Sequence, residues 1–408
     1  MSSQLDLFSG VLSIYKNGAG EAISNNQLYK EIGNKLGLTQ SAFDVKSPVG
    51  ESEQKHSLLK RKLRWFQQSL KQAGVIERVA GERGVWKLTE PAGHGLSKIL
   101  PNYSIVGFST KLGVAIVGSC KDVFAKISEP LELIISSPPY PLSTARNYGN
   151  PTEKEFVDWI CETIAPLIGN MADGASLCLN LGADIFMPKS PARSMYKERL
   201  ILALNDNFGL HLMDNIIWQN PSKPPGPIAW ASKQRFQLNG GYENIIWMCN
   251  NPLMSFADNR RVLEPHSEQH LKLMKSGGEF HARINSDGAH RIKAGSYAKL
   301  TEGKIPRNIL NISHNCKDQR DYKVHCLENG LTPHGAAMPL KLALFLIKFL
   351  SRTGQLIADP FGGSFTTAKA AELLSRRWIS TDIMLEYVVG GASRFNTFDG
   401  FQQNIRLS

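Results

Sequence analysis

Four consecutive residues, Ser137-Pro138-Pro139-Tyr140, directly follow the apolar run ELIIS and combine groups that suit a planar base with an amino group. The two prolines fix φ and lack N–H groups, while their carbonyl oxygens remain available as acceptors. The serine adds a hydroxyl group and the tyrosine a flat aromatic face. The tetrad can therefore accept hydrogen bonds from an amino group and stack on a ring. The structural alternative is a rigid exit from a strand.

A glycine-containing turn, Asp359-Pro360-Phe361-Gly362-Gly363-Ser364-Phe365-Thr366-Thr367, follows a second apolar run and leads into the helical segment AKAAELL. A strand, a glycine turn and a helix N-terminus together form a geometry that binds cofactors. Asp382 ends the next apolar run, where a carboxylate suits ribose hydroxyls. The chain contains neither Gly-Lys-Ser/Thr nor G-x-G-x-x-G, which excludes a nucleotide P-loop and the dinucleotide fingerprint. A tight strand-to-helix turn would explain this segment alone equally well.

Seven short apolar runs, several of them continuous in Val, Ile and Leu, position these motifs and alternate with helical patterns. They cover residues 113–117, 132–136, 176–181, 214–218, 243–248, 355–358 and 378–381. Continuous runs suit strands buried on both faces, and their alternation with helices predicts a doubly wound α/β sheet. Ligands bind at the carboxyl ends of the strands in such sheets, so motifs that follow strands carry the most information.

Together the two motifs resemble the amino-methylating DNA methyltransferases, which use S-adenosylmethionine. In that family Ser-Pro-Pro-Tyr is typical of cytosine-N4 enzymes, and adenine-N6 enzymes more often carry Asp-Pro-Pro-Tyr. The tetrad precedes the glycine turn here, an order similar to that of the circularly permuted β group. The resemblance covers about residues 110–395 and implies a Rossmann-like methyltransferase sheet.

The resemblance also implies which positions contact the cofactor. They are Asp359, Pro360, Phe361, Gly363, Ser364 and Thr366 on the glycine turn, Asp382 as the ribose-binding acid, Ser119 after the first apolar run, and His334, Met338 and Pro339 before the cofactor strand. Two positions depart from the family pattern. Ser119 stands where an Asp is usual and still offers a hydroxyl group. Phe365 stands where another Gly is usual, and a side chain there requires negative φ or backbone strain.

The reaction implied by the resemblance is direct methyl transfer to the exocyclic N4 of cytosine. Hydrogen bonds from N4–H to Ser137 and Pro138 would localise the nitrogen lone pair, and positioning supplies most of such catalysis. The base must be flipped out of the duplex, and Tyr140 would stack on it. The chain contains no Pro-Cys dipeptide, which argues against the cysteine-nucleophile C5 route. Two alternatives stay open: an adenine-N6 methyltransferase, and a DNA-binding regulator with an impaired methyltransferase domain.

Residues 1–90 are predicted to form a separate winged-helix-like unit, because helical patterns precede two β-rich runs around Gly81-Glu82-Arg83-Gly84. Its clearest helix, over residues 56–73, has an apolar stripe and a basic face from which Lys60, Arg61 and Arg64 are expected to contact DNA. A solvated helix face and a protein-binding winged helix are the alternatives. Residues 91–105, rich in Pro and Gly, are predicted to be a linker.

The rest of the chain divides into a catalytic half (106–251), a target-recognition region (252–333) and a cofactor-binding half (334–408). Arg146, in the polar segment after the tetrad, and Lys223, in a segment rich in Pro, Gly and basic residues, are candidate phosphate contacts. The spacing of His314, Cys316, His325 and Cys326 is irregular for zinc, so no metal site is predicted.

Composition agrees with a polyanionic partner, since the 408 residues include 47 Lys+Arg and 36 Asp+Glu, a net charge of +11. The 42% apolar and 20% charged content excludes a disordered chain or a fibre. Scattered cysteines indicate a reducing compartment, and neither a signal peptide nor a membrane span is predicted. Together with these observations, the resemblance implies a bacterial, cytoplasmic, nucleoid-associated protein that binds double-stranded DNA. Its functional counterpart would be a cognate restriction endonuclease.

Overall fold

A computed structural model describes residues 4–18, 20–48, 54–93, 95–142, 149–285 and 288–405. The N-terminal part contains short strands among helices. Its elements are α1 (Gln4–Asn17), β1 (Ile23–Ser24), α2 (Asn25–Leu36), α3 (Gln40–Asp44), β2 (Lys46–Pro48), β3 (Lys55–Ser57), α4 (Leu58–Gln72), β4 (Ile76–Arg78) and β5 (Val85–Leu88). Strands β1, β5 and β4 form an antiparallel sheet in that order. The helices and the hairpin predicted for this part are all present.

Helix α4 is the central element of this unit. Its first turn is capped by Ser57, whose Oγ accepts a hydrogen bond from the backbone N–H of Lys60 at 3.2 Å. The apolar stripe is buried, and Phe66 packs edge-on against Phe8 with ring centroids 5.4 Å apart. The opposite side carries the basic residues, so the amphipathic pattern of residues 56–73 correctly predicted which side packs inward.

A sheet of ten strands forms the centre of the described chain. Its strands are β6 (Ser104–Ser109), β7 (Gly113–Gly118), β8 (Leu131–Ser136), β9 (Met171–Gly182), β10 (His211–Gln219), β11 (Tyr242–Cys249), β14 (Ile309–Asn311), β15 (Leu356–Asp359), β16 (Arg377–Asp382) and β17 (Gln402–Gln403). The spatial order is β14-β10-β11-β9-β8-β15-β16-β7-β6-β17. Strands β9, β8, β15, β16 and β7 are mutually parallel, which brings their carboxyl ends to one edge.

Each of the seven apolar runs forms one of these strands, and the mixed α/β architecture is confirmed. Strand β8 shows why its run is continuous: Leu133 and Ile135 belong to the apolar core on one face, while Leu131 and Ile134 belong to the core on the other. Helices cover both faces. They are α6 (Cys120–Phe124), α7 (Phe156–Gly169) and α8 (Tyr196–Phe208) on the second face, and α11 (Leu340–Leu350), α12 (Thr366–Leu373) and α13 (Leu385–Ala392) on the first.

The remaining segments contain short elements. They are α5 (Glu90–Gly93), a π-helix (Ile228–Lys233), 3-10 helices (Pro252–Met254, Asn259–Val262 and Ser393–Phe395), α9 (Glu268–Lys275), the hairpin β12–β13 (Arg283–Asn285 and His290–Ile292) and α10 (Lys317–Glu328). Helix α10 contacts α13, and its Asp318 forms ion pairs with Lys369 and Arg394. This helix therefore packs with the segment after residue 334. Within the described ranges, no helix is both long and apolar enough to cross a bilayer.

Candidate active site

A cavity of about 990 Å³ opens at the carboxyl ends of the parallel strands. The tetrad after β8, Asn180 on β9 and Glu243 on β11 line one part of it, which we call the tetrad end. Asp382 at the end of β16, Ser119 after β7, and Pro360 and Phe361 after β15 line the other part, the Asp382 end. The two motifs singled out in the sequence therefore meet in one cavity.

All four residues of the tetrad line this cavity. The Ser137 hydroxyl donates to the backbone carbonyl of Asn180 at 3.4 Å. The Tyr140 ring lies against Gly182, where a Cβ atom would come within 2.7 Å of Tyr140 Cε2. Only glycine fits beside the ring, so the end of β9 fixes the position of Tyr140.

Asp359 connects the tetrad to the glycine turn. Its Oδ1 accepts hydrogen bonds from the Ser136 hydroxyl at 2.5 Å and from the Phe361 backbone N–H at 3.1 Å. Burial raises the pKa of this carboxyl group, and these bonds partly offset the effect. Asp359 is buried and absent from the cavity lining. Asp359 thus holds the turn from beneath, and the cofactor contact expected of it stays a prediction.

Asp382 lines the cavity and is held by the backbone. Its Oδ2 accepts from the Gly363 N–H and its Oδ1 from the Met384 N–H, each at 2.8 Å. Burial raises the pKa of Asp382 to about 6. Each oxygen keeps lone-pair capacity after one backbone bond, so the carboxylate can accept hydroxyl donors from a ligand.

Gly363 has a φ of +52°, and a Cβ there would lie 3.1 Å from the His334 ring. Glycine suits this left-handed conformation, and a larger residue would also require the His334 ring to shift by a few tenths of an ångström. His334 and Met338 line the cavity as predicted positions, and the His334 ring packs edge-on against Tyr387 at 5.0 Å. Pro339 instead lies outside the lining and precedes the first turn of α11.

Ser364 and Thr366, both predicted to contact a cofactor, are buried below the turn and do not line the cavity. Their hydroxyls lie 3.1 Å apart, and Thr366 Oγ1 also accepts from the Gln319 amide at 2.9 Å and from Arg394 at 3.1 Å. These side chains stabilise the turn from inside. Gln319 of α10 and Arg394 donate to the Thr366 hydroxyl, and the Ser364 hydroxyl pairs with Thr366, so the cofactor contact expected of these two residues stays a prediction.

Phe365 adopts a left-handed conformation, with φ +60° and ψ +35°. Its ring is fully buried and packs against Phe108 with centroids 5.3 Å apart. The ring also fills the space beside Gly391, where a Cβ would come within 2.6 Å of it. The expected backbone strain is thus present, but the side chain points away from the cavity. Burial of an aromatic ring offsets a conformational cost of about 1–2 kcal/mol.

The segment predicted as a linker forms part of the cavity wall, through residues 98–102. It is fixed on both sides. The Ile99 N–H donates to the Ile383 carbonyl at 3.0 Å, and the Leu100 N–H donates to the Gln72 carbonyl at the end of α4 at 2.8 Å. The sequence did not predict this role, because the segment pairs through backbone groups, which the residue types do not reveal.

Four further residues at the tetrad end were missed in the sequence: Asn180, Trp218, Glu243 and His314. Asn180 Nδ2 donates to Glu243 Oε2 at 2.8 Å. The Trp218 indole N–H donates to the Ile312 carbonyl at 2.8 Å, and its ring lies 6.3 Å from that of His314. The usable signal was position, since Asn180 lies near the carboxyl end of a predicted strand and Glu243 begins another.

The basic residues predicted to contact DNA differ in their exposure and in whether they already form ion pairs. Arg61 and Arg64 are exposed on α4, whereas Lys60 pairs with Asp44 at 3.3 Å. Lys223 forms an ion pair with Asp184 at 2.8 Å and lies beside Glu243, so its ammonium group already has a partner within the protein. Arg146 lies outside the described residues. The described ranges contain no cluster of three His, Cys, Asp or Glu residues suited to a metal.

Ligands of open α/β sheets bind at the carboxyl ends of the strands, which is where this cavity lies. A family model described as DNA methylase matches residues 131–391, more than half of the chain, and a model described as Mrr N-terminal domain matches residues 6–98. The chain therefore belongs to the DNA methylase family, and the resemblance to DNA methyltransferases is confirmed.

Individual relatives agree with this assignment. Type II methyltransferase M.PvuII of Proteus hauseri is 32% identical over 289 residues, covering 71% of this chain and 85% of that protein. Orphan methyltransferase M.BamHII of Bacillus amyloliquefaciens is 26% identical over 257 residues, covering 63% of this chain and 85% of that protein. The solved structure of PvuII DNA methyltransferase (cytosine-N4-specific) has a TM-score of 0.55 at 27% identity and covers 74% of this chain and 91% of that one.

Proposed function

We propose that this protein methylates the exocyclic N4 of cytosine in double-stranded DNA, with S-adenosylmethionine as methyl donor. One observation carries the proposal: the Ser-Pro-Pro-Tyr tetrad and Asp382 line the same cavity. The 32% identity to M.PvuII, whose solved structure is described as cytosine-N4-specific, supports the choice of base.

The residues of the Asp382 end suit the methyl donor. The Asp382 carboxylate, held by two backbone N–H groups, would accept the ribose hydroxyls. Ser119, Phe361, His334 and Met338 would form the walls around the rest of the molecule, since all of them line the cavity. When bound, S-adenosylmethionine supplies a methyl group on a positively charged sulfur.

The tetrad would hold the target base. The Pro138 carbonyl and the Ser137 hydroxyl can accept hydrogen bonds from the amino group, and Tyr140 offers its ring for stacking. A base inside a duplex cannot enter the cavity, so the target cytosine would be flipped out of the stack. Arg146, in the segment that follows the tetrad in the sequence, would contact phosphate near the flipped nucleotide.

The domain organisation we propose follows the same logic. Strand β15, which precedes the glycine turn, lies beside β8 although it comes much later in the chain, as expected for a circularly permuted methyltransferase. Residues 1–90 would be a winged-helix unit that contacts DNA through Arg61 and Arg64. Target recognition would lie in residues 252–333, although helix α10 within this range packs with the later half. The protein would protect DNA in the bacterial cytoplasm from a cognate restriction endonuclease.

Expression in a methylation-free host tests this proposal. Hydrolysis of the host DNA to nucleosides should yield N4-methylcytosine, and sequencing that distinguishes modified bases should place it in one sequence context. N6-methyladenine alone would overturn the cytosine assignment. The idea of a regulator with an impaired enzyme domain receives no structural support from Phe365, because its ring points away from the cavity.

A further inference from the structure

Glu243 is a carboxyl group in the cavity to which the tetrad's chemistry assigns no role. It lies at the start of β11, in register with Gly182 on β9 and Trp218 on β10. Gly182 is also the residue against which the Tyr140 ring packs. Glu243 and Tyr140 therefore flank the same point of the sheet edge.

A short chain of contacts links this carboxyl group to the tetrad. Ser137 Oγ donates to the Asn180 carbonyl at 3.4 Å, and Asn180 Nδ2 donates to Glu243 Oε2 at 2.8 Å. The amide fixes one carboxylate oxygen and leaves Oε1 available. Asn180 thereby aligns the glutamate relative to the serine that would hold the substrate amino group.

Methylation of an amino group requires a proton acceptor. The N4 lone pair forms the new N–CH3 bond, the S–CH3 bond breaks with its electrons passing to sulfur, and N4 then sheds one proton. The Ser137 hydroxyl and the Pro138 carbonyl are not bases. On the basis of the proposed function, we propose that Glu243 is the catalytic residue that accepts the proton lost by cytosine N4.

The other carboxyl groups that line the cavity already have hydrogen-bond or ion-pair partners within the protein. Asp382 lies on the far side of β8 and β15 and is held by two backbone N–H groups. Glu155 accepts from Thr152 at 2.7 Å, Glu162 is paired with Lys121, and Asp122 accepts from the Asn102 N–H at 3.0 Å. The imidazole of His314 could also accept a proton. Burial lowers its pKa, which makes it a weaker base.

The groups around Glu243 set its protonation. Burial raises its pKa, the Asn180 amide and the Lys223 ammonium lower it, and Asp184 raises it. Tyr196, whose hydroxyl donates to the Gly182 carbonyl at 2.6 Å, and Lys197, 3.5 Å from Asn244 Oδ1, complete the surroundings. A base must be ionised to act, so methylation should decline as pH falls through this raised pKa.

Single-turnover methylation of duplex DNA across pH 5 to 9, with S-adenosylmethionine saturating at every pH, tests the proposal. Glu243→Gln keeps size and hydrogen bonding but cannot take a proton, so we expect the rate to fall about 100-fold and its acid limb to disappear. Glu243→Asp should restore part of the rate and keep an acid limb. The affinities of Glu243→Gln for S-adenosylmethionine and for DNA should stay within about threefold of those of the unaltered protein. Its thermal unfolding should be unchanged. Glu198→Gln, on the exposed side of α8, is the matched control and should behave as the unaltered protein.

Distinct outcomes separate this inference from the function on which it rests. Unaltered protein that yields only N6-methyladenine would overturn both. Unaltered protein that yields N4-methylcytosine, with Glu243→Gln retaining both its rate and its acid limb, would overturn the role of Glu243 alone. An acid limb that survives in Glu243→Gln and vanishes in His314→Asn would assign the proton to His314 instead.

Discussion

The two ends of the cavity are held together by different kinds of hydrogen bond. At the Asp382 end, backbone N–H groups of Gly363 and Met384 hold the carboxylate, and residues 98–102 dock through backbone pairing. At the tetrad end, side chains from different strands hold one another, as Asn180 and Glu243 do across β9 and β11.

The difference indicates where sequence change is tolerated. Backbone groups are the same whatever the side chains, so the Asp382 end can retain its geometry despite Ser119 and Phe365, the two departures from the family pattern. At the tetrad end, the contact between Asn180 and Glu243 needs both side chains, and the contacts of Ser137 and Trp218 with backbone carbonyls each need one. Substitutions there should therefore affect turnover strongly, and departures at the Asp382 end should affect it weakly.

Replacement of Tyr140 by Ala should give the largest effect in this comparison. Stacking of a base on an aromatic ring contributes about 1–3 kcal/mol, and its loss would also widen the space beside Gly182. We expect single-turnover methylation to fall by up to about 100-fold with unchanged S-adenosylmethionine affinity. Tyr140→Phe, which keeps the ring, is the control. A rate for Tyr140→Ala close to that of the unaltered protein would refute a stacking role.

Asp382→Asn should weaken methyl-donor binding about 10-fold, as expected for loss of a charge-assisted hydrogen bond. The pKa of about 6 adds a pH test. Hydrogen bonds from the ribose hydroxyls favour the ionised carboxylate. The affinity for S-adenosylmethionine should therefore decrease as pH falls below about 6. Calorimetric titrations at pH 5, 6 and 7.5 would measure it. The variant should lack this pH dependence, and a pH-independent affinity in the unaltered protein would contradict the assignment.

Raising the pH should strengthen binding of S-adenosylmethionine by Asp382, but the same ionisation should destabilise the unliganded protein. Its pKa is raised from 3.8 to about 6 in the folded protein, so the folded state binds the proton more tightly than the unfolded state. This group's contribution therefore lowers the free energy of unfolding as pH rises from about 4 to 6. A bound donor would offset that cost by interacting with the ionised form. Ligand stabilisation of the protein should consequently be greater at pH 7.5 than at pH 5.

Arg61 and Arg64 provide a comparison outside the cavity. Both are exposed on α4, and their joint replacement by Ala should reduce DNA affinity about fivefold. The slope of log affinity against log salt should decrease by about 2, one for each phosphate contact. Lys60→Ala is expected to change less, because Lys60 already pairs with Asp44 at 3.3 Å. Fluorescence anisotropy over a salt series would measure both, and an unchanged slope would exclude phosphate contacts by α4.

The sequence predicted the sheet and the meeting of its two motifs because both follow from strand patterns. Continuous apolar runs predicted β8 and β15, and strand ends predicted the locations of Ser137 and Asp382. Burial of individual side chains was not predictable in the same way. Ser364 and Thr366 look like ligands in the sequence, yet both are buried, and Gln319 and Arg394, distant in the chain, donate to the Thr366 hydroxyl. Residues 98–102 act through backbone groups, which carry no residue signature.

Phe365 should give the smallest functional effect and a distinctive stability effect. Phe365→Ala loses the buried ring, which typically costs about 3 kcal/mol or more, and keeps a side chain at φ +60°. Phe365→Gly loses the same ring but relieves the left-handed conformation. We therefore expect Phe365→Gly to be about 1 kcal/mol more stable than Phe365→Ala in denaturant unfolding. Donor affinity, measured where both variants are folded, should change less than twofold.

Gly391 supplies the control for this last prediction. A Cβ at residue 391 would come within 2.6 Å of the Phe365 ring, so Gly391→Ala should destabilise the unaltered protein by about 1–3 kcal/mol through overpacking. In a Phe365→Gly background the space is vacant, and the same change should cost much less. The coupling between the two residues would show that the Asp382 end accommodates its unusual phenylalanine by packing on α13. Additive effects, together with a loss of donor affinity in Phe365→Gly, would instead mean that the ring shapes the cavity, and the contrast between the two ends would fail.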